Sequence, residues 1–380
     1  MKTLWIITLW GLSLIPASVN NSPKTPSVSQ QALPSSPARA TIQVAVLLDT
    51  SNSMDGLIDQ AKAQLWEVVN DLAKARCEGE APKLQIALYE YGNDNLNMRE
   101  GYIRQVLSFS HDLDAVSQKL FGLTTRGGSE HCGQVIQTSL DQLSWNTDEK
   151  ALNLIFIAGN EPFTQGPVNY RTAIARARDK DIVVNTIFCG NYTEGVNTHW
   201  KNGAQYGQGE YMAIDSDQRT VHIPSPFDEA ILAKNEALNA TYIAYGNEGE
   251  SRQREQHAQD ANAASYGAAN AVKRAVSKST HFYKSASWDL VEAAQEDDFE
   301  LEEVVVETLS PELQKLSPEA LKKHLNEQRA KRKKLQQEIA ALNKKREAYV
   351  AKITNEEDNP LRTAMLKAIH KQGALKGYVW

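Results

Sequence analysis

The chain has 380 residues, enough for one α/β domain of about 200 residues with roughly 150 to spare. Its net charge of −6 and pI near 5.8 give no general electrostatic reason to bind nucleic acid or an anionic membrane surface. A hydrophobic content of 41% leaves ample material for a packed core.

Met1-Lys2 followed by the apolar run Leu4–Pro16 reads as a signal peptide over residues 1–20, because the run is too short to span a bilayer comfortably. Ala17 and Ser18 offer small residues for cleavage, and no Cys follows for lipidation. The sequence thus predicts export to the periplasm or the exterior, with no membrane span left after signal removal. Residues 21–40 are rich in Ser, Pro and Gln and read as a disordered linker.

From Thr41 the pattern changes. Ile42–Leu48 is an apolar, β-branched run of strand length that stops at Asp49-Thr50-Ser51-Asn52-Ser53. A helical face follows over Ile58–Ala75, then strands at Leu84–Tyr91 and Ile103–Phe109, and a short helix at Leu113–Leu123. The loop Thr124–His131 (TTRGGSEH) leads into a helix near Cys132–Leu143. Strands at Asn153–Ala158 and Ile182–Cys189 flank a helix at Tyr170–Asp179, and Glu210–Ile214 reads as a short last strand. This alternation predicts a doubly wound, mainly parallel α/β sheet over 41–220, with functional groups at the carboxyl ends of its strands.

Residues 221–308 read as a helical extension, with helices at Pro226–Asn239, over the Ala-rich stretch Ser251–Ser279 and at Trp288–Gln295, and an acidic segment at 296–307. Residues 309–380 hold a long amphipathic helix and a short C-terminal one at Leu361–Ile369. Ser317-Pro318-Glu319 starts the long helix well, and a 4-3 spacing runs from Leu321 to Ile353, about 50 Å. Gln328, Arg332 and Arg346 interrupt its coiled-coil-like seam, which disfavours a self-dimer. Packing within the chain or on a partner through Leu335, Ile339, Leu342, Tyr349 and Ile353 is expected instead. The basic run Lys331–Lys334 reads as a solvated face, or as one turned toward the acidic segment.

A hard divalent cation takes oxygen ligands, and Asp49, Ser51 and Ser53 alternate along one short segment at a strand end. With VAVLLDTSNSM before the βα succession, residues 41–216 resemble the von Willebrand factor A (VWA) family, whose Rossmann-like domain carries a metal-ion-dependent adhesion site opening on Asp-x-Ser-x-Ser. The resemblance implies Mg²⁺ or Mn²⁺ held by Asp49, Ser51 and Ser53. It implies a further ligand from the Gly-Gly loop, for which Ser129 is the candidate and Thr124 or Thr125 the alternatives. A third-loop aspartate is usual in the family, but Gly159 stands there, with Asn160 and Glu161 as substitutes. The structural alternative is that Asp49 caps the following helix and the serines satisfy loop amides.

Ser129, Glu130 and His131 do not make a hydrolase, since neighbours in sequence seldom meet the geometry of nucleophile, base and orienter, and no enzyme is expected. Cys77, Cys132 and Cys189 match no metal or redox motif; a Cys132–Cys189 disulfide is the candidate bridge of an oxidising compartment. The first functional expectation is a metal-dependent binding module, its ion completed by an acidic group of a protein or peptide partner in the envelope or outside the cell. The second is a metal-free structural or assembly protein of the cell envelope acting through the VWA surface and the long helix.

Overall fold

The computed structural model describes residues 39–215, 220–297, 299–353 and 359–380. The signal peptide at 1–20, and all but the last two residues of the linker at 21–40, lie outside the described residues.

Residues 41–214 mix strands and helices: β1 (Thr41–Asp49), α1 (Asp55–Leu72), β2 (Arg76–Cys77), β3 (Lys83–Tyr91), β4 (Ile103–Ser110), α2 (Leu113–Phe121), α3 (Cys132–Gln142), β5 (Leu152–Gly159), α4 (Tyr170–Asp179), β6 (Ile182–Cys189), α5 (Tyr192–Asn197), α6 (Trp200–Tyr206) and β7 (Gln208–Ile214). Six strands form one sheet in the order β4-β3-β1-β5-β6-β7, parallel throughout except for β4 at one edge. The alternation of side chains along β1 feeds two cores. Ile42, Val44 and Leu48 face α1 and α2, whereas Ala45 and Leu47 face α3, α4 and α6. Strand order reverses between β1 and β5, so the carboxyl ends of these two strands flank the crevice where doubly wound sheets place their ligands.

The rest of the chain is helical: α7 (Asp228–Asn239), α8 (Gly249–Ser265), α9 (Ala268–Lys278), α10 (Leu290–Ala293), α11 (Pro318–Val350) and α12 (Pro360–Leu375), then β8 (Tyr378–Val379). The single Ala-rich helix read over 251–279 is two, because Gly267 turns the chain at φ 100°, a conformation that favours glycine. Helix α12 returns to the α/β layer. Leu361, Leu366 and Ile369 join the core beneath α1, and β8 pairs with β2 through Tyr378 and Cys77. Helix α9 packs on α1 and α8 on α2, and α7 packs behind them on α9.

The long helix begins as its sequence requires, with Ser317 Oγ accepting from the Ala320 N–H at 3.3 Å and Pro318 in the first turn. Its packing differs from the apolar seam expected. Ile339 is buried and Leu335 and Leu342 lean on the same core, but Tyr349 and Ile353 are exposed. Arg332 and Arg346, which break the seam in sequence, are buried in it. Arg332 pairs with Asp289 at 2.5 Å, donates to the Thr241 carbonyl at 2.7 Å and lies over the Tyr242 ring. Arg346 pairs with Asp228 at 2.9 Å. Each arginine docks α11 inside its own chain, and among the described residues no ion pair joins Lys331–Lys334 to the acidic segment.

Candidate functional site

The carboxyl end of β1 delivers Asp49 into the crevice, fully buried. The chain then turns tightly, and the Ser51 N–H donates to Asp49 Oδ1 at 2.7 Å. That bond fixes the carboxylate and leaves Oδ2 buried without a hydrogen-bond partner. Ser51 and Ser53 place their hydroxyl oxygens 3.2 Å apart, and Asn160, just past β5, donates to Ser53 Oγ at 3.0 Å. Three of the four residues so assembled come from the motif and the fourth from the third loop.

The Gly-Gly loop contributes a residue that the family motif does not name. Glu130 reaches Asp49: it is 4% exposed, and its carboxyl lies within hydrogen-bonding reach of both Asp49 and Ser51, while Ser129 beside it is half-buried. The loop is held close by the Asp94 N–H, which donates to the Gly127 carbonyl at 2.6 Å, and by Gln165, whose Oε1 accepts from the Glu130 N–H at 2.8 Å. Gly92, at φ 78°, makes the approach possible. A Cβ there would stand 2.7 Å from Glu130 Cγ and 2.8 Å from Asp49 Oδ1. Among the alternatives, Thr125 is hydrogen-bonded to Asp55 in the first turn of α1, and the Thr124 carbonyl accepts from Asn93 at 2.9 Å. Glu161 is exposed, its carbonyl accepting from the Trp200 indole at 2.8 Å.

Burial raises the pKa of Asp49 well above the ordinary value, and the Glu130 carboxyl beside it raises it further. Burial raises Glu130 as well, with the charge of Glu161 adding to it. The pair therefore holds a proton more tightly than two exposed carboxyls would. Oxygens that point at one another without a donor are costly unless something positive stands between them. Glu130 Oε2 and Asn160 Oδ1 are, like Asp49 Oδ2, buried and unpartnered. Two carboxylates and two hydroxyls thus converge, a donor set that suits a hard divalent cation, with the Asn160 amide N–H turned toward Ser53. Among the described residues no three of His, Cys, Asp and Glu come together as a metal cluster, so the charge supplied is limited to this pair.

Gly159 cannot simply be replaced by the family's aspartate. A Cβ there would lie 2.5 Å from the Tyr91 hydroxyl and 3.1 Å from Asp49 Oδ2. Tyr91, buried and donating to the Ala158 carbonyl at 2.9 Å, fills the space a third-loop side chain would need. The second carboxylate comes from the opposite loop instead. His131, beside Glu130, packs edge-on to Tyr102 and against Gly166.

The three cysteines are buried free thiols, and Cys132–Cys189 is not bridged. The reason is the sheet itself. Cys132 lies in the core on the α3 side, 3.8 Å from the Tyr91 hydroxyl, whereas Cys189 alternates into the core on the α1 side.

Residues 43–223 match the model of the von Willebrand factor type A domain. No curated protein matches the chain. Among solved structures it is similar to the SpRpn10 VWA domain, at 14% identity and a TM-score of 0.34, covering 45% of this chain and 87% of that one. It is similar also to an aerotolerance-related membrane protein from Bacteroides fragilis, at 14% identity and a TM-score of 0.32, covering 46% and 93%. A von Willebrand factor type A structure from Catenulispora acidiphila gives 16% and 0.34, covering 46% and 39%. Such domains are generally binding or adhesion modules. Residues 43–223 of this chain are a von Willebrand factor type A domain.

Proposed function

We propose that the protein is an exported binding module whose VWA domain engages its partner through a divalent cation, Mg²⁺ or Mn²⁺. The observation that carries this reading is the pair of buried, mutually facing carboxyls, Asp49 and Glu130, each with an unpartnered oxygen beside the two serine hydroxyls. Asp49, Ser51, Ser53 and Glu130 would hold the ion, with Asn160 beside them. Bound there, the cation supplies positive charge at the crevice mouth and a coordination position for an acidic side chain of a protein or peptide.

The chain's own residues do the rest. Asp49 is oriented by the Ser51 amide, so its free oxygen stays aimed into the site. Asn160 orients the Ser53 hydroxyl. Gly92 keeps the floor low enough for Glu130 to enter. Met98, 69% exposed in the connection after β3, and Tyr192, 52% exposed as the first residue of α5 after β6, offer large apolar side chains at the same sheet edge. With only two carboxylates the affinity is expected to be modest, so the cation acts as part of the interface.

The test is capture of partners from an envelope extract by the immobilised protein, with Mg²⁺, with EDTA, and with Asp49→Ala. Proteins retained only by the wild type with Mg²⁺ support the reading. An identical set in all three arms would leave the metal-free assembly role in its place.

A further inference from the structure

The net charge of −6 conceals a strong local separation of charge. Helix α11 buries Leu321, Leu325, Arg332, Ile339 and Arg346 against α7, α9 and α10. Away from that side it exposes Lys322, Lys323, Arg329, Lys331, Lys333, Lys334, Lys344 and Lys345. At 3.6 residues per turn, Lys322, Arg329, Lys333 and Lys344 fall within about 60° of one another, and Lys323, Lys334 and Lys345 form a second row about 100° further round. The rows run for about 35 Å along a helix with no Gly or Pro after its first turn.

Helices usually offset such charges with acidic neighbours, and here the acids are outnumbered: Glu319 and Glu327 each stand four residues from Lys323, and Glu327 four from Lys331. Its Glu338 and Glu347 are engaged elsewhere, by Lys234 of α7 and by Lys74 after α1. Among the described residues none of the eight cations is in an ion pair, and only Glu319 and Glu327 remain as exposed carboxylates of α11. Between the cations the face carries Asn326, Gln337 and the alanines Ala330, Ala340, Ala341 and Ala348. Of large apolar side chains α11 exposes Tyr349 alone, near its C-terminal end, too little to insert into hydrocarbon as a stripe or to stack a run of bases. What an uninterrupted, two-rowed cationic helix face fits is a plane of negative charge.

We infer that the outer face of α11 is a peripheral docking surface for an anionic phospholipid bilayer, bound by charge alone. The surface lies on an element separate from the loops that carry the carboxylate pair, and it stands whether or not that site binds a cation.

The experiment is co-sedimentation of the full chain with vesicles of phosphatidylcholine containing 30% phosphatidylglycerol, and with pure phosphatidylcholine, at 50 and at 500 mM NaCl. Neutral vesicles report any insertion of the apolar Leu4–Pro16 run. The expected result is binding to the anionic vesicles at low salt, abolished at high salt, and weakened by roughly tenfold or more in K333E/K334E/K344E/K345E. The matching Lys→Arg variant should bind as the wild type does. All four positions are exposed, and circular dichroism of both variants checks that they fold. Absence of binding to anionic vesicles at low salt overturns the inference, as does undiminished binding of the charge-reversed variant. So does binding of soluble polyphosphate without binding to vesicles, which would make the face a polymer site.

Discussion

Replacing Glu130 by Gln tests the carboxylate pair from two directions at once. Two carboxylates in hydrogen-bond contact, if both are ionised, repel by about 4 kcal/mol at an effective dielectric near 20. Sharing a proton limits that cost, so relief of about 2 kcal/mol is expected for the cation-free protein at pH 7.5. For a chain of this size that raises Tm by about 3 °C. Addition of Mg²⁺ to ten times its Kd should stabilise the wild type by about 1.4 kcal/mol and leave Glu130→Gln almost unmoved. The sign with pH follows from the raised values of Asp49 and Glu130. Without cation, the pair's contribution is greatest below the ordinary carboxylate range and declines as pH rises through the raised folded-state values. The advantage of the variant over the wild type should therefore grow with pH. Differential scanning calorimetry with and without Mg²⁺ measures both effects. A variant less stable than the wild type that still responds to Mg²⁺ would refute the reasoning, because Glu130 would then be a structural residue with a satisfied carboxyl.

Gly159→Asp should destabilise the domain without tightening cation binding, because its Cβ meets the Tyr91 hydroxyl; chemical denaturation and calorimetric titration check both halves. Arg332→Met should cost about 3–5 kcal/mol by removing the cation from buried Asp289, and the double variant with Asp289→Asn, which keeps an acceptor for the Ile243 and Glu292 N–H groups, should recover part of that in urea titrations. His222, whose burial among Lys273 and Arg346 lowers its pKa to about 4, should add to acid instability as pH falls from 6.5 toward 4; His222→Gln should flatten that part of a Tm-versus-pH profile. Alkylation under denaturing conditions without reductant should label Cys77, Cys132 and Cys189 together, as read by intact mass.

The sheet was legible because its strands are apolar runs of the right length and its turns fall where Gly, Asn and Asp stand. Asp49, Ser51 and Ser53 were legible because a motif sits at a strand end. Glu130 was not. Its role depends on a loop folding back over Gly92, and the local cues were the glycine that closes LQIALYEYG and the lone acid in GGSEH. The arginines of α11 were misread for a related reason. A seam position is judged by its own side chain, whereas Asp289 and Asp228 lie 43 and 118 residues away in sequence. The return of α12 to the sheet face rests on Leu361, Leu366 and Ile369, a pattern that marks an amphipathic helix but names no partner surface.

Calorimetric titration of Mn²⁺ or Mg²⁺ into the wild type and Asp49→Ala addresses the cation site most directly. Saturable one-to-one binding that competes with protons on acidification, and is lost in Asp49→Ala, is the expected result. Indistinguishable heats for the two proteins would contradict it, and the buried carboxyls would then be a protonated pair that closes the crevice without a metal.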